Sequence, residues 1–200
     1  MSKLQTTNLS RRDFFKAAAG ATIAVAAAGS VLPNVGAGKA FAAQSASGRA
    51  DVVETRTVTG NVYVDKADTP IKKNAYLTND GNPPFNMPTS PVEGNATLEV
   101  TADGKKLLTV PIVNDTFGAL SISDVSTDGS VSVVDVAMGD WTAPNSWSTP
   151  YEQRITSITF DVTNFAGGAA IATFSPCKEY ATFPLYKGDK DWDLHLIAEL

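Results

Sequence analysis

The chain has 200 residues and a formal net charge of −5, with 16 basic and 21 acidic residues. This acidic balance argues against a protein that binds nucleic acid or an anionic membrane surface through its overall charge. The chain holds one His and one Cys, which excludes a Cys2His2 zinc site, a two-histidine copper site and an intrachain disulfide.

The chain opens with a paired-arginine pattern. Arg11 and Arg12 precede an uncharged run, rich in Ala and Gly, from Ala17 to Leu32. This run is too short and too weakly apolar for a membrane span, which needs about 20 strongly apolar residues. The pattern resembles the signal peptides of the twin-arginine (Tat) export pathway, and Ala40-Phe41-Ala42 resembles a signal-peptidase site. The resemblance implies that residues 1–42 are a cleaved signal peptide recognised by the twin-arginine translocase.

Removal of this segment changes the charge and the expected location of the protein. Residues 1–42 hold five basic residues and one acidic residue, so we expect the mature chain to be more acidic than the whole. We expect a secreted or extracytoplasmic protein. Because we find no Cys near the predicted cleavage point that could carry a lipid, and no apolar C-terminal tail, we expect no stable membrane anchor. Residues 43–50 are rich in Ser, Ala and Gly and are predicted to be a flexible leader.

From residue 51 onward, short segments of alternating or β-branched character are separated by turn residues. Asp-Gly pairs at 103–104 and 128–129 predict two hairpins, and no segment has sustained helical periodicity. We therefore predict one all-β domain over residues 51–200, an immunoglobulin-like antiparallel β-sandwich of about seven to eight strands. The predicted strands are 52–64, 97–100, 106–113, 117–125, 130–136, 154–162, 169–174 and 191–200.

Two irregular segments, 79–91 and 139–150, interrupt the regular spacing of strands and turns. The first contains four prolines and the apolar residues Phe85 and Met87, and the second contains Trp141 and Trp147, followed by Tyr151. Long loops often carry ligand sites. The second set either stacks on sugar rings or plugs the end of the sandwich. One hypothesis is therefore an adhesion module that binds a glycan or a protein through Trp141, Trp147 and Tyr151.

The residues give no catalytic set, so we expect no enzyme. A hydrolase would need His195 as its base, but His195 alternates with Trp192 and Leu194 in a predicted strand and is expected to point towards solvent. Cys177 follows Pro176 in a predicted turn, where we expect a structural or exposed thiol that is able to pair with a partner.

Acidic residues near the C-terminus are candidate ligands for calcium, which prefers oxygen donors. Asp189, Asp191 and Asp193 alternate, and Asp65 or Asp68 would have to complete the site. A solvated strand edge is the favoured interpretation of this pattern.

The segment from Tyr186 to Leu196 carries a family resemblance. It is similar to the last hairpin of NEAT (near iron transporter) haem-binding domains, which are immunoglobulin-like sandwiches. In that family a tyrosine on the last strand pair ligates ferric haem iron, and a second tyrosine lies four residues on. Here the next aromatic residue is Trp192, six residues after Tyr186. The resemblance implies haem as cofactor, Tyr186 as axial ligand, and apolar walls from Trp192, Phe85 and Met87.

The sequence therefore predicts an exported, non-enzymatic binding protein. Its partner is haem or another small ligand, or alternatively a glycan or a protein.

Overall fold

The computed structural model describes residues 50–81, 88–143, 150–182 and 190–200. The chain divides into two units, Met1–Ser45 and Ala46–Leu200, and only the second contains described residues. The predicted signal peptide, leader residues 43–49, Phe85, Met87, Trp147 and Tyr186 lie outside these ranges. Within these ranges there is no helix with the length and hydropathy that crossing a membrane requires.

The described residues form an all-β, antiparallel structure without helices, as predicted. They contain nine strands in one curled sheet, ordered β5-β8-β9-β1-β3-β4-β7-β6, with β2 paired to β1. The strands are β1 Val52–Val64, β2 Ala75–Tyr76, β3 Ala96–Thr101, β4 Lys106–Pro111, β5 Phe117–Ser121, β6 Ser132–Asp140, β7 Gln153–Asp161, β8 Ala172–Ala181 and β9 Lys190–Glu199.

The long first strand joins the two parts of the curled sheet. Its first half, up to Val58, pairs with β3, and its second half, from Thr59, pairs with β9. Gly60 lies just after this change of partner, where an added Cβ would stand 2.9 Å from the Cβ of Ala96. A larger residue would therefore push the two strands apart at the point where the sheet curls.

The core lies inside the curl and follows the two-residue period of the strands. On β9, the side chains of Trp192, Leu194 and Leu196 are buried, while the alternating residues between them are only partly covered. Phe160 on β7 and Phe174 on β8 meet within this core, with ring centroids 5.3 Å apart. Burial of each such large side chain contributes about 1.5–3 kcal/mol to the free energy of unfolding.

One of the two predicted hairpins is confirmed. Strands β3 and β4 flank the turn at Asp103-Gly104, and Gly104 takes a positive φ of 84°. The turn at Asp128-Gly129 also forms, with an antiparallel bridge between Val125 and Ser132 and a backbone hydrogen bond from Val133 to Asp124. The second predicted hairpin therefore forms only next to its turn, because farther out β5 pairs with β8 and β6 pairs with β7.

The predicted turn at Cys177 is also wrong. Strand β8 continues through this region, and a register shift between Phe174 and Cys177 accommodates Pro176. The Cys177 thiol is 1% exposed and donates to the carbonyl oxygen of Phe174 at 3.1 Å. The backbone N–H of Ser123 donates to the same sulfur at 3.4 Å, and burial raises the pKa of the thiol. Cys177 is therefore a structural residue of β8.

Candidate functional site

Of the residues predicted to bind a ligand, the described part of the chain contains Trp192, Trp141 and Tyr151. Trp192 lies on the inner face of β9, opposite Cys177 of β8, and is 6% exposed. Trp141 and Tyr151 are half-buried and lie at the far end of the β6–β7 pair. The described site residues therefore belong to two separate places on the sheet.

Trp141 and Tyr151 are brought together by the backbone. The N–H of Trp141 donates to the carbonyl oxygen of Glu152 at 3.0 Å, which continues the β6–β7 ladder beyond the strand ends. The rings of Trp141 and Tyr151 are then 6.2 Å apart with an interplanar angle of 42°. Trp141 also meets Tyr180 of β8, with centroids 4.5 Å apart. We call Trp141, Tyr151 and Tyr180 the aromatic cluster.

Tyr180 is the buried member of the aromatic cluster and was not among the predicted residues. Its O–H donates to the backbone carbonyl oxygen of Asn114, and its ring covers Gly118, where a Cβ would overlap it. Burial raises the pKa of Tyr180 well above its ordinary value. Through Tyr180, the cluster packs the end of the β6–β7 pair against strands β5 and β8. The rings of Trp141 and Tyr151 are only partly buried.

His195 is not simply turned to solvent, as the alternation of β9 suggested. It is half-buried, because its ring stacks on Tyr63 of β1 at a centroid distance of 5.2 Å and an interplanar angle of 27°. Tyr63 in turn contacts Tyr76 of β2, also at 5.2 Å. His195 Nδ1 and Thr173 Oγ1 form a hydrogen bond of 3.0 Å. These contacts place the histidine in a row of rings across three neighbouring strands.

A pocket of about 340 Å³ lies at the start of β9. It is lined by Asp68, Lys190, Asp191, Trp192 and Asp193, and we call it the acidic pocket. Three of the aspartates considered for calcium from the sequence thus meet here, while Asp189 lies outside the described residues. In the ranges that the structure covers, no group of three or more His, Cys, Asp or Glu side chains is placed to hold a metal ion.

Glu179 of β8 is buried close to the acidic pocket. It pairs with Lys190 across the β8–β9 ladder and is 1% exposed, and neither carboxyl oxygen has a hydrogen-bond partner. Burial raises the pKa of Glu179 well above its ordinary value; the charge of Lys190 lowers it, and the charge of Asp68 raises it further. Glu179 was not predicted as a strand residue, because the predicted strand ends at Phe174 whereas β8 continues to Ala181.

Comparisons of the chain with protein-family models, with curated proteins and with solved structures find no match. The geometry gives two candidate sites, the aromatic cluster at one end of the sheet and the β8–β9 end with Trp192 and the acidic pocket.

Proposed function

We propose that this chain is an exported, non-enzymatic binding protein and that haem is its ligand, coordinated by Tyr186. The observation that carries the proposal is the strand pair β8–β9. These are neighbouring antiparallel strands, and the segment between them contains Tyr186. Such a last hairpin is what the resemblance to NEAT domains implies, with an immunoglobulin-like sandwich around it. Trp192 on β9 supplies a large apolar ring next to this connection.

The state of the other potential iron ligands supports Tyr186. His195 is hydrogen-bonded to Thr173 and stacked on Tyr63, and Cys177 is buried inside β8. These are the single His and the single Cys of the chain. A tyrosine phenolate is a hard anionic donor, and tyrosine-ligated haem proteins exist. Phe85 and Met87 would complete the apolar walls in this proposal.

The charge near Trp192 limits how haem would be oriented. The acidic pocket beside Trp192 contains three aspartates and one lysine, and haem propionates are themselves anionic. Like charges brought together at an interface disfavour binding. We therefore expect the propionates to point away from the acidic pocket, with the apolar edge of the macrocycle towards Trp192.

Titration with hemin tests this proposal. We expect a saturable change of the Soret band at a stoichiometry of one, which Tyr186→Phe abolishes. Tyr76→Phe is the matched control, because it makes the same change at a half-buried tyrosine on β2. An unchanged Soret spectrum with stoichiometric hemin, or equal losses in the two variants, would contradict haem ligation by Tyr186.

Export through the twin-arginine pathway is part of the same proposal. It rests on Arg11 and Arg12, on the uncharged run that follows them and on the Ala40-Phe41-Ala42 tripeptide. Replacing both arginines by lysine keeps the charge but removes the recognised pair. We expect this variant to stay in the cytoplasm at its uncleaved length, as measured by cell fractionation and mass spectrometry. Normal cleavage and export of the variant would contradict this route.

The aromatic cluster favours a second candidate function, an adhesion module that binds a glycan or a protein. The observation is the approach of Trp141 and Tyr151, two half-buried rings 6.2 Å apart at the same end of the sheet. Tryptophan fluorescence titrated with a glycan panel, repeated on Trp147→Ala, tests it. A response that Trp147→Ala weakens would support this candidate, and the absence of any response in the unmodified protein would count against it.

A further inference from the structure

We propose that two copies of this chain form a dimer by pairing the first half of β1, residues 52–58, with the same residues of a second copy. The two strands would run antiparallel about a two-fold axis at Thr55 and join the two sheets into one. This inference goes beyond the proposed function, because it requires neither haem nor a glycan.

Residues 52–58 form a strand edge that the described part of the chain leaves unpaired. The order β9-β1-β3 places β9 and β3 on opposite edges of β1. Strand β3 pairs with β1 from Val52 to Val58, whereas β9 pairs with β1 only from Thr59 onward. In the described ranges, therefore, no strand lies along the second edge of residues 52–58. Such a row of unpaired backbone N–H and C=O groups is a template for another strand.

The side chains of this edge contribute little to the core of the chain. Val52 to Thr57 are all exposed, although alternate residues of a strand belong to opposite faces of the sheet. Val52 is 42% exposed and Val53 is 65% exposed. Four of these six residues are β-branched, a composition that fits a strand packed on at least one face. A second copy would supply the packing that the described residues do not.

The charges of the edge are complementary to themselves. When Thr55 faces the same residue of the second copy, Glu54 of each copy faces Arg56 of the other, because the strands are antiparallel. Opposite charges at directly facing positions stabilise a strand pair, and like charges destabilise it. Registers centred on Glu54 or on Arg56 would place like charges opposite each other. The charge pattern therefore selects the register centred on Thr55.

The residues on either side of this centre are β-branched. In the same register Val53 faces Thr57 of the second copy, and Val52 faces Val58. Val53 is an extra residue in the β1–β3 ladder, where the register shifts between Val52 and Glu54. The regular part of the edge thus begins at Glu54. We therefore expect a short interface and a weak, concentration-dependent dimer.

The charge of the chain does not oppose contact at this edge. Residues 52–58 hold one acidic and one basic residue and are neutral together, whereas the whole chain has a net charge of −5. Within one copy, Arg56 Nε lies 3.6 Å from Glu54 Oε1, and the two side chains are 47% and 55% exposed. An exposed ion pair of this kind contributes little to stability. Exchanging it for two pairs across the interface therefore costs little.

Sedimentation velocity of the purified chain over a series of concentrations tests the proposal. We expect a monomer–dimer equilibrium. Glu54→Arg and Arg56→Glu should each weaken dimerisation at least about tenfold, because each places like charges opposite each other. An equimolar mixture of the two variants should restore association, since every arginine of one then faces a glutamate of the other. The ion pair within one copy is lost in both variants, so it cannot cause the restoration.

Cross-linking tests the register independently. In the proposed dimer the two Thr55 residues face each other, so Thr55→Cys should form a disulfide-linked dimer under mild oxidation, measured on a non-reducing gel. Thr57→Cys is the matched control on the same face of β1. Its two copies would lie about 13 Å apart along the strands, beyond the Cα separation of about 7 Å that a disulfide allows. The native Cys177 is 1% exposed and does not interfere.

The substituted side chains are all exposed, so we expect every variant to fold, which circular dichroism checks. A chain that is monomeric at every concentration would overturn the proposal and leave this edge to a partner of another sequence. A dimer that survives both charge reversals, or that cross-links equally through Thr55→Cys and Thr57→Cys, would overturn it as well, because association would then use another surface or register.

Discussion

Two buried polar regions of this molecule differ in how fully their hydrogen bonds are satisfied. In the first, the Asn114 side-chain amide donates to the carbonyl oxygen of Asn79 at 2.6 Å, and its oxygen accepts the N–H groups of Thr116 and Phe117. In the second, Glu179 has no hydrogen-bond partner for either oxygen. A polar group that stabilises the fold is expected to be paired, so the difference separates a structural residue from a candidate functional one.

Asn61 shows that Asn114 is not an isolated case. Its amide donates to the carbonyl oxygen of Val92 at 3.0 Å, and its oxygen accepts from Thr78 Oγ1 at 2.7 Å and from the N–H of Val92 at 2.9 Å. Both asparagines thus replace missing backbone partners where loops meet strands. These hydrogen bonds satisfy buried polar groups and hold the loops in place.

The largest expected effect comes from removing the hydrogen bonds of the Asn114 side chain. Asn114→Ala should lower the free energy of unfolding by about 3 kcal/mol, because it leaves the buried N–H groups of Thr116 and Phe117 without an acceptor. Urea denaturation measures this loss. Asn164→Ala, at an exposed turn position, is the control and should change the free energy of unfolding by less than about 0.5 kcal/mol. A loss below about 1 kcal/mol for Asn114→Ala would contradict its structural role.

The two regions also differ in what the sequence could reveal. The alternation of β9 predicted the buried face that holds Trp192 and Leu194, and the strand bounds of β1 agree with the prediction. Asp103-Gly104 predicted its hairpin because that turn is set by local backbone conformation. These features depend on neighbouring residues, which is why the sequence carries them.

The structural asparagines and Glu179 depend on contacts that are distant along the chain. The amide of Asn61 reaches Val92, and Tyr180 reaches Asn114 across 66 positions. The register shift after Phe174 moves Glu179 onto the inner face, and Pro176 made this part of β8 look like a turn. A period-two pattern cannot be followed through a β-bulge without knowledge of the partner strand. The roles of Phe85, Met87, Trp147 and Tyr186 stay predictions.

The second expected effect is a pH dependence of the free energy of unfolding that is caused by Glu179. The pKa of Glu179 in the folded state is raised above its ordinary value of 4.5, so above pH 4.5 the unfolded chain loses a proton that the folded chain keeps. The free energy of unfolding should therefore fall as pH rises from 4.5 towards the folded pKa, by at most about 1.4 kcal/mol per pH unit. Below pH 4.5 the carboxyl is protonated in both states, and this contribution is constant.

Glu179→Gln should remove this slope, because the amide does not titrate. Urea denaturation at several pH values between 4.5 and 7.5 measures it, with Glu199→Gln as the exposed control that keeps the slope. Parallel curves for the unmodified protein and Glu179→Gln would show that Glu179 gains a solvent or ionic partner on folding. That result would remove the distinction between the two regions.

The smallest expected effect concerns Tyr180, whose side chain leaves β8 on the opposite face from Glu179. Tyr180→Phe should lower the free energy of unfolding by about 1 kcal/mol, because the Asn114 carbonyl loses a buried donor while the ring keeps its contacts with Gly118 and Trp141. Tyr76→Phe is the half-buried control.

Combining Tyr180→Phe with Asn114→Ala should give less than the sum of the two losses, because both changes loosen the same loop. Combining it with Glu179→Gln should be additive, since the two side chains share no partner. Coupling in the second pair but not in the first would mean that the buried carboxyl, rather than Asn114, is tied to the aromatic cluster.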